Sequence, residues 1–79
     1  MVTVHQAFGC RFVIFANDHG PAHVHVIAAD GEAKIVLDGP VGMEIAWVAG
    51  IARGDMRRIL REVERERLRL LAVWRDMHG

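Results

Sequence analysis

The chain has no serine and no tyrosine, and only one cysteine, one lysine and two prolines among its 79 residues. Each scarcity narrows what the protein can do. No serine hydroxyl is on hand as a nucleophile, and Cys10 alone cannot close an internal disulfide. A thiol nucleophile needs a base beside it, and none is evident in the sequence, so Cys10 reads as a small buried hydrophobe next to a turn. There is no basic-then-apolar leader and no run of eighteen apolar residues, which leads to the expectation of a cytoplasmic protein without a membrane partner. The formal net charge is zero, so the release of counterions cannot drive general adhesion to nucleic acid. No helix-turn-helix or zinc-finger spacing is present either, which leaves nucleic acid a secondary partner at most.

What is present is ordinary globular material, with 52% hydrophobic and 25% charged residues. Residues 1–79 are expected to make a single domain with one small core. The first two thirds of the chain read as strands. Val2 to Ala7 and Arg11 to Ala16 flank a turn at Gly9, and Phe12 and Ile14 fall on one face of the second strand with Val13 and Phe15 on the other. That strand should be covered on both sides and lie inside its sheet. After the loop residues Asn17-Asp18-His19-Gly20-Pro21, a strand from His23 to Ala28 puts His23, His25 and Ile27 on one face. Asp30-Gly31 signals a hairpin into Ala33 to Leu37, and Met43 to Val48 reads as a fifth, edge strand in preference to a short helix. From Gly54 or Asp55 the period becomes helical, with Met56, Ile59, Leu60, Val63, Leu70, Leu71 and Trp74 on the apolar face and an interruption at Glu66 and Arg67. The expected fold is α+β: an antiparallel sheet of four to five strands with a long C-terminal amphipathic helix packed on one face.

Three groups of residues are candidates for function. A His-x-His pair on a strand sets its Cα atoms about 7 Å apart on one face, a spacing that recurs in metal sites. Here the pair is His23 and His25, with Asp18 or His19 on the preceding loop as the third ligand. Satisfied structural histidines are the plainer reading, and no metal or other cofactor is assigned. The second group is the helical ridge Arg57, Arg61, Arg65 and Arg69, whose guanidinium forks suit acidic protein surfaces or phosphates. Glu62, Glu64 and Glu66 stand at helix-neighbour spacing from Arg65, Arg67 and Arg69, so a solvated face tied by its own ion pairs is the alternative. The third group is acidic: Asp30, Glu32 and Asp38. Residues 1–49 carry two cationic against five anionic side chains and residues 50–79 eight against five, a bipolar arrangement that favours oriented encounter with a charged partner.

Thr3-Val4, Gly9, Arg11-Phe12, Asn17-Asp18-His19, Pro21, His23-Val24-His25-Val26, Gly31-Glu32-Ala33-Lys34, Leu37 and Trp74 together resemble the bacterial domain-of-unknown-function family numbered 4160. The chain departs from the usual pattern at Ala22, at Ile35-Val36 and in Gly39-Pro40-Val41-Gly42. The resemblance implies a small free-standing domain, often encoded beside another small protein and suspected of belonging to toxin-antitoxin or other mobile-element systems. The expectation is therefore a non-catalytic interaction or inhibitory module that binds a protein partner, as a toxin-antitoxin partner or an anti-CRISPR-like inhibitor of a nucleic-acid-binding effector. Either a monomer or a homodimer fits. The alternative is a histidine-dependent RNA-cleaving toxin or metal-binding hydrolase built on His19, His23 and His25, with Arg11 and Asp18 or Glu44 in support.

Overall fold

The computed structural model describes residues 2–79. Five strands, β1 (Val2–Ala7), β2 (Cys10–Ile14), β3 (His23–Ile27), β4 (Glu32–Gly39) and β5 (Gly42–Ala49), precede two helices, α1 (Arg53–Arg65) and α2 (Arg67–His78). Each strand pairs antiparallel with its neighbour in sequence, giving the sheet order β1-β2-β3-β4-β5. The fold is α+β, with the sheet at the upper of the two expected strand counts.

Period-2 alternation sorts the strand residues into two faces. Phe12, Ile14, Val24, Val26, Ala33, Ile35 and Leu37 form the face that meets the helices, packing with Met56, Ile59, Val63, Leu70, Leu71 and Trp74. The opposite face carries a row running across all five strands, in which Thr3, Val13, His25, Lys34 and Trp47 are successive register partners. Val13 is fully buried on that second face and Arg11 is exposed there, so β2, an interior strand, is covered on both sides at Val13 but not at its start.

Two connections explain themselves locally. Phe8 and Gly9 both have positive φ, 55° and 72°, the twist that a two-residue hairpin loop needs. Phe8 is the unusual occupant, and the Arg58 guanidinium lies 5.4 Å over its ring, a cation–π contact that helps offset the backbone cost. The β3–β4 connection runs through Ala28–Gly31, closed by the Ala28 N–H donating to the Gly31 carbonyl at 2.9 Å. Gly31 does not use positive φ there. Its requirement is space, because a β-carbon on it would run into the backbone of Ala49 and Gly50 where the chain leaves β5.

The expected long helix is two helices, separated at Glu66 (φ −98°, ψ 7°), where the apolar stripe is interrupted. Hydrogen bonding carries across the break: the Glu66 N–H donates to the Glu62 carbonyl at 3.0 Å and the Leu70 N–H to the Glu66 carbonyl at 2.9 Å. Arg67 turns inward and donates Nε–H to the Leu37 carbonyl at 2.8 Å, so the expected Glu64–Arg67 pair does not form. No helix among the described residues is long and apolar enough to cross a membrane.

Candidate functional site

β3 places His23 and His25 two residues apart on one face, and the loop before it returns Asp18 to them. Asp18 is held there by its own N–H, which donates to the Phe15 carbonyl at 3.2 Å. His23 is only 3% exposed. Its Nδ1 lies 2.9 Å from the Pro21 carbonyl, an oxygen that only accepts, so Nδ1 carries a proton. Its Nε2 is 2.8 Å from Asp18 Oδ2. His25 points its Nε2 at the same oxygen from 3.5 Å, while its Nδ1 stands 3.4 Å from Glu32 Oε2. That Nδ1 is buried and makes no hydrogen bond among the described residues.

Aromatic rings wall this cluster. Phe15 meets His25 edge-on at 4.9 Å, Trp47 approaches it at 6.1 Å, and Trp74 lies 4.8 Å from His23. His78 stacks on Trp74 at 3.8 Å, and its ring nitrogens face the Trp74 and Phe15 carbonyls, which pins the end of α2 over the loop. An open depression beside Asp18 is lined by Asn17, His19, Trp74, Met77 and His78.

Not every expected partner arrives. His19 is exposed and stands outside the Asp18-His23-His25 group, so the His19/His23/His25 cluster considered for a hydrolase is not assembled as such. Arg11 sits opposite Ile27 and Glu44 opposite Val36, and neither makes a hydrogen bond or ion pair with the histidines.

A second polar cluster has no signal in sequence spacing, because its β1 members lie 57 to 65 residues from the helical side chains they meet. His5 of β1 hydrogen-bonds Glu62 of α1 through Nε2, while Arg69 of α2 donates to His5 Nδ1 at 2.9 Å and to the Val4 carbonyl at 3.0 Å. The Arg69 donor makes Nδ1 the acceptor, so Nε2 carries the proton and donates to Glu62. Both ring nitrogens are thus committed, and His5 fastens an edge strand to both helices. Hydrogen bonds from Arg65 first, and from His5 second, hold the Glu62 carboxyl below its usual range, and Arg69 does the same for Glu66. The Glu62 bond in turn pushes Arg65 up.

These contacts divide the arginine ridge. Arg65 is bidentate on Glu62 at 2.8–3.1 Å, and Arg69 pairs with Glu66 at 2.6 Å. Arg57 and Arg61 are exposed and make no ion pair among the described residues. Of the acidic candidates, Asp30 lies exposed in the β3–β4 connection, Glu32 faces His25, and Asp38 reaches Arg75 at 3.7 Å.

The edge strand β5 gathers three exposed large apolar side chains on one element. Ile45, Trp47 and Val48 are 41%, 43% and 43% exposed. Ile45 and Val48 are in register with the core residues Ile35 and Ala33, and Trp47 with Lys34 on the other face, so both faces of this strand are bare where the helices stop short. A family model described as "Domain of unknown function (DUF4160)" matches residues 9–75. No curated protein and no solved structure matches the chain.

Proposed function

This chain belongs to the DUF4160 family, and from that premise we propose that it acts by stoichiometric binding to another protein, through its β5 edge. The observation that carries the reading is the eight-residue edge strand with Ile45, Trp47 and Val48 exposed on its two faces. An edge strand offers a row of unpaired backbone donors and acceptors, and apolar side chains along it favour the addition of a partner strand. Natural edges are commonly blunted by charge, proline or bulges; β5 has no lysine or proline, and its one charge, Glu44, and its register shift at Ala46 leave Trp47 and Val48 uncharged at its C-terminal half. Binding is favoured over turnover because His5 has both nitrogens engaged and His19, Arg11 and Glu44 stand apart from the histidine pair.

The settings that suit such a module are a toxin-antitoxin pair and inhibition of a nucleic-acid-binding effector in the anti-CRISPR manner, both in the cytoplasm. Charge distinguishes them. An inhibitor that mimics nucleic acid would present Asp30, Glu32 and Asp38, whereas an acidic partner would select Arg57 and Arg61, the free half of the ridge.

The test is affinity capture of the tagged protein from its host, with nuclease treatment, in wild type and in Trp47→Glu and Val48→Lys. A stoichiometric protein partner that survives nuclease and is lost from both variants is the expected result. Recovery of nucleic acid alone, or undiminished capture by the variants, would overturn the proposal. Charge reversal at Asp30 and Asp38, and separately at Arg57 and Arg61, then chooses between the settings.

A further inference from the structure

We infer that Asp18, His23 and His25 form a binding site for one divalent transition-metal ion of the zinc type. The first ground is distance. On an ion with nitrogen and oxygen bonds of about 2.0–2.2 Å, adjacent ligand atoms stand roughly 2.8–3.6 Å apart, as elementary geometry requires for right-angled and tetrahedral arrangements. His23 Nε2 and His25 Nε2 stand 2.8 and 3.5 Å from the same Asp18 oxygen. The three donor atoms all lie within 4.8 Å of one another, so small ring movements bring them onto one centre.

The second ground is what surrounds the ligands. A metal-bound histidine ordinarily gives its remote ring N–H to a backbone carbonyl or a carboxylate, which fixes the tautomer and aims the other nitrogen inward. Here the two histidines each have one such partner: Nδ1 of His23 faces the Pro21 carbonyl at 2.9 Å, and Nδ1 of His25 faces Glu32 Oε2 at 3.4 Å. The buried Nδ1 of His25 otherwise makes no hydrogen bond among the described residues, and a modest closure onto Glu32 would satisfy it.

The third ground is charge. With Nδ1–H donated to Pro21, a neutral His23 turns a lone pair toward a carboxylate oxygen at 2.8 Å. That contact is attractive only with a cation between them, either a ring proton or a metal ion. Both imidazoles converge on the same Asp18 oxygen, so one ion held there is shared by all three side chains. Two imidazoles and one carboxylate suit zinc and its neighbours better than calcium or magnesium, which prefer oxygen ligands throughout. Three protein ligands leave a coordination position for a donor from outside this set, the pattern of open rather than closed zinc sites.

The experiment is titration of the chelator-treated protein with zinc chloride by calorimetry, with cobalt(II) absorption as a spectroscopic readout and far-ultraviolet circular dichroism as the check on folding. We expect one equivalent of zinc bound, a rise in melting temperature, and visible cobalt bands. Asp18 lies on a half-buried loop, so Asp18→Asn should keep the fold while weakening zinc at least tenfold; His25→Ala should do likewise. Glu32→Gln should weaken it by roughly tenfold through the loss of ligand orientation, and His19→Ala should leave it unchanged. Absence of binding by the wild type, or equal binding by folded Asp18→Asn, would overturn the assignment. So would loss of binding in His19→Ala with Asp18→Asn unaffected. Capture of a partner through β5 is a separate readout, tested apart from this site by Val48→Lys, because Val48 is in register with Ala33 on the other face from His25.

Discussion

Gly31 is conspicuous in the sequence as half of an Asp-Gly turn signal, yet what requires glycine there lies eighteen or more residues further along the chain. A β-carbon would meet the Ala49 carbonyl and the Gly50 backbone, neither of which is the movable end of a side chain. Gly31→Ala is therefore expected to cost about 1–3 kcal/mol, the range for overpacking a well-filled site, and a urea midpoint read alongside wild type checks it. An unchanged midpoint would mean that the crossing of the two backbones relaxes freely. The candidate site was legible to a similar partial degree. Alternation alone puts His23 and His25 on one face, but whether Asp18 or His19 joins them depends on how the loop turns. The Asp18 N–H bond to Phe15 sets Asp18 toward the strand and leaves His19 in solvent. Nothing local announces His5 with Glu62, because that pairing exists only once the helices lie on the sheet.

The strands were readable because β-branched and aromatic residues recur with period 2 and are punctuated by glycine. The helical stretch was readable because its apolar residues recur at three and four, and its break falls where Glu66 and Arg67 interrupt that stripe. Beside the apolar core that joins these elements, His5 with Glu62 and Arg69 makes a polar link, and the carboxyls at it carry a pH dependence. Glu62 and Glu66 are held below the usual carboxylate range by Arg65 and Arg69 in the folded protein. A carboxyl lowered on folding contributes stability above its unfolded value, and that contribution is lost as pH falls through the folded one. The contribution of these two carboxyls should begin to fall at about pH 5, as unfolded glutamates start to take up protons, and be lost as pH passes down through the lower folded values. Glu62→Gln should be less stable than wild type at pH 7, and the difference should shrink in acid. Denaturant midpoints measured from pH 7 to pH 3 would show this, and parallel curves for the two proteins would contradict it.

At the scale of the molecule, sheet and helices share one core in which Cys10 takes part. Burial pushes its thiol up, with the Asp55 carboxylate adding to the effect and Arg58 opposing it. Cys10 should react slowly with a thiol reagent at pH 7 in the folded protein and rapidly in denaturant, so its labelling rate reports opening of the core; fast native labelling would place it in a frayed end. Both flanks of the sheet also differ in character. β1 is fastened to the helices by His5 and Arg69, while β5 has Ile45, Trp47 and Val48 open to solvent. The order of the elements has a further consequence, for the protein as it is made. All five strands precede the helices that cover them, and the neighbour-to-neighbour meander lets each hairpin form as soon as it emerges. At synthesis rates of about 5–20 residues per second, the helical stretch follows the last strand by roughly one to five seconds. Throughout that interval Phe12, Val26 and Ile35 form a bare surface on a nascent chain. Capture by a chaperone, or aggregation on the ribosome, therefore competes with folding most strongly between completion of the sheet and its closure.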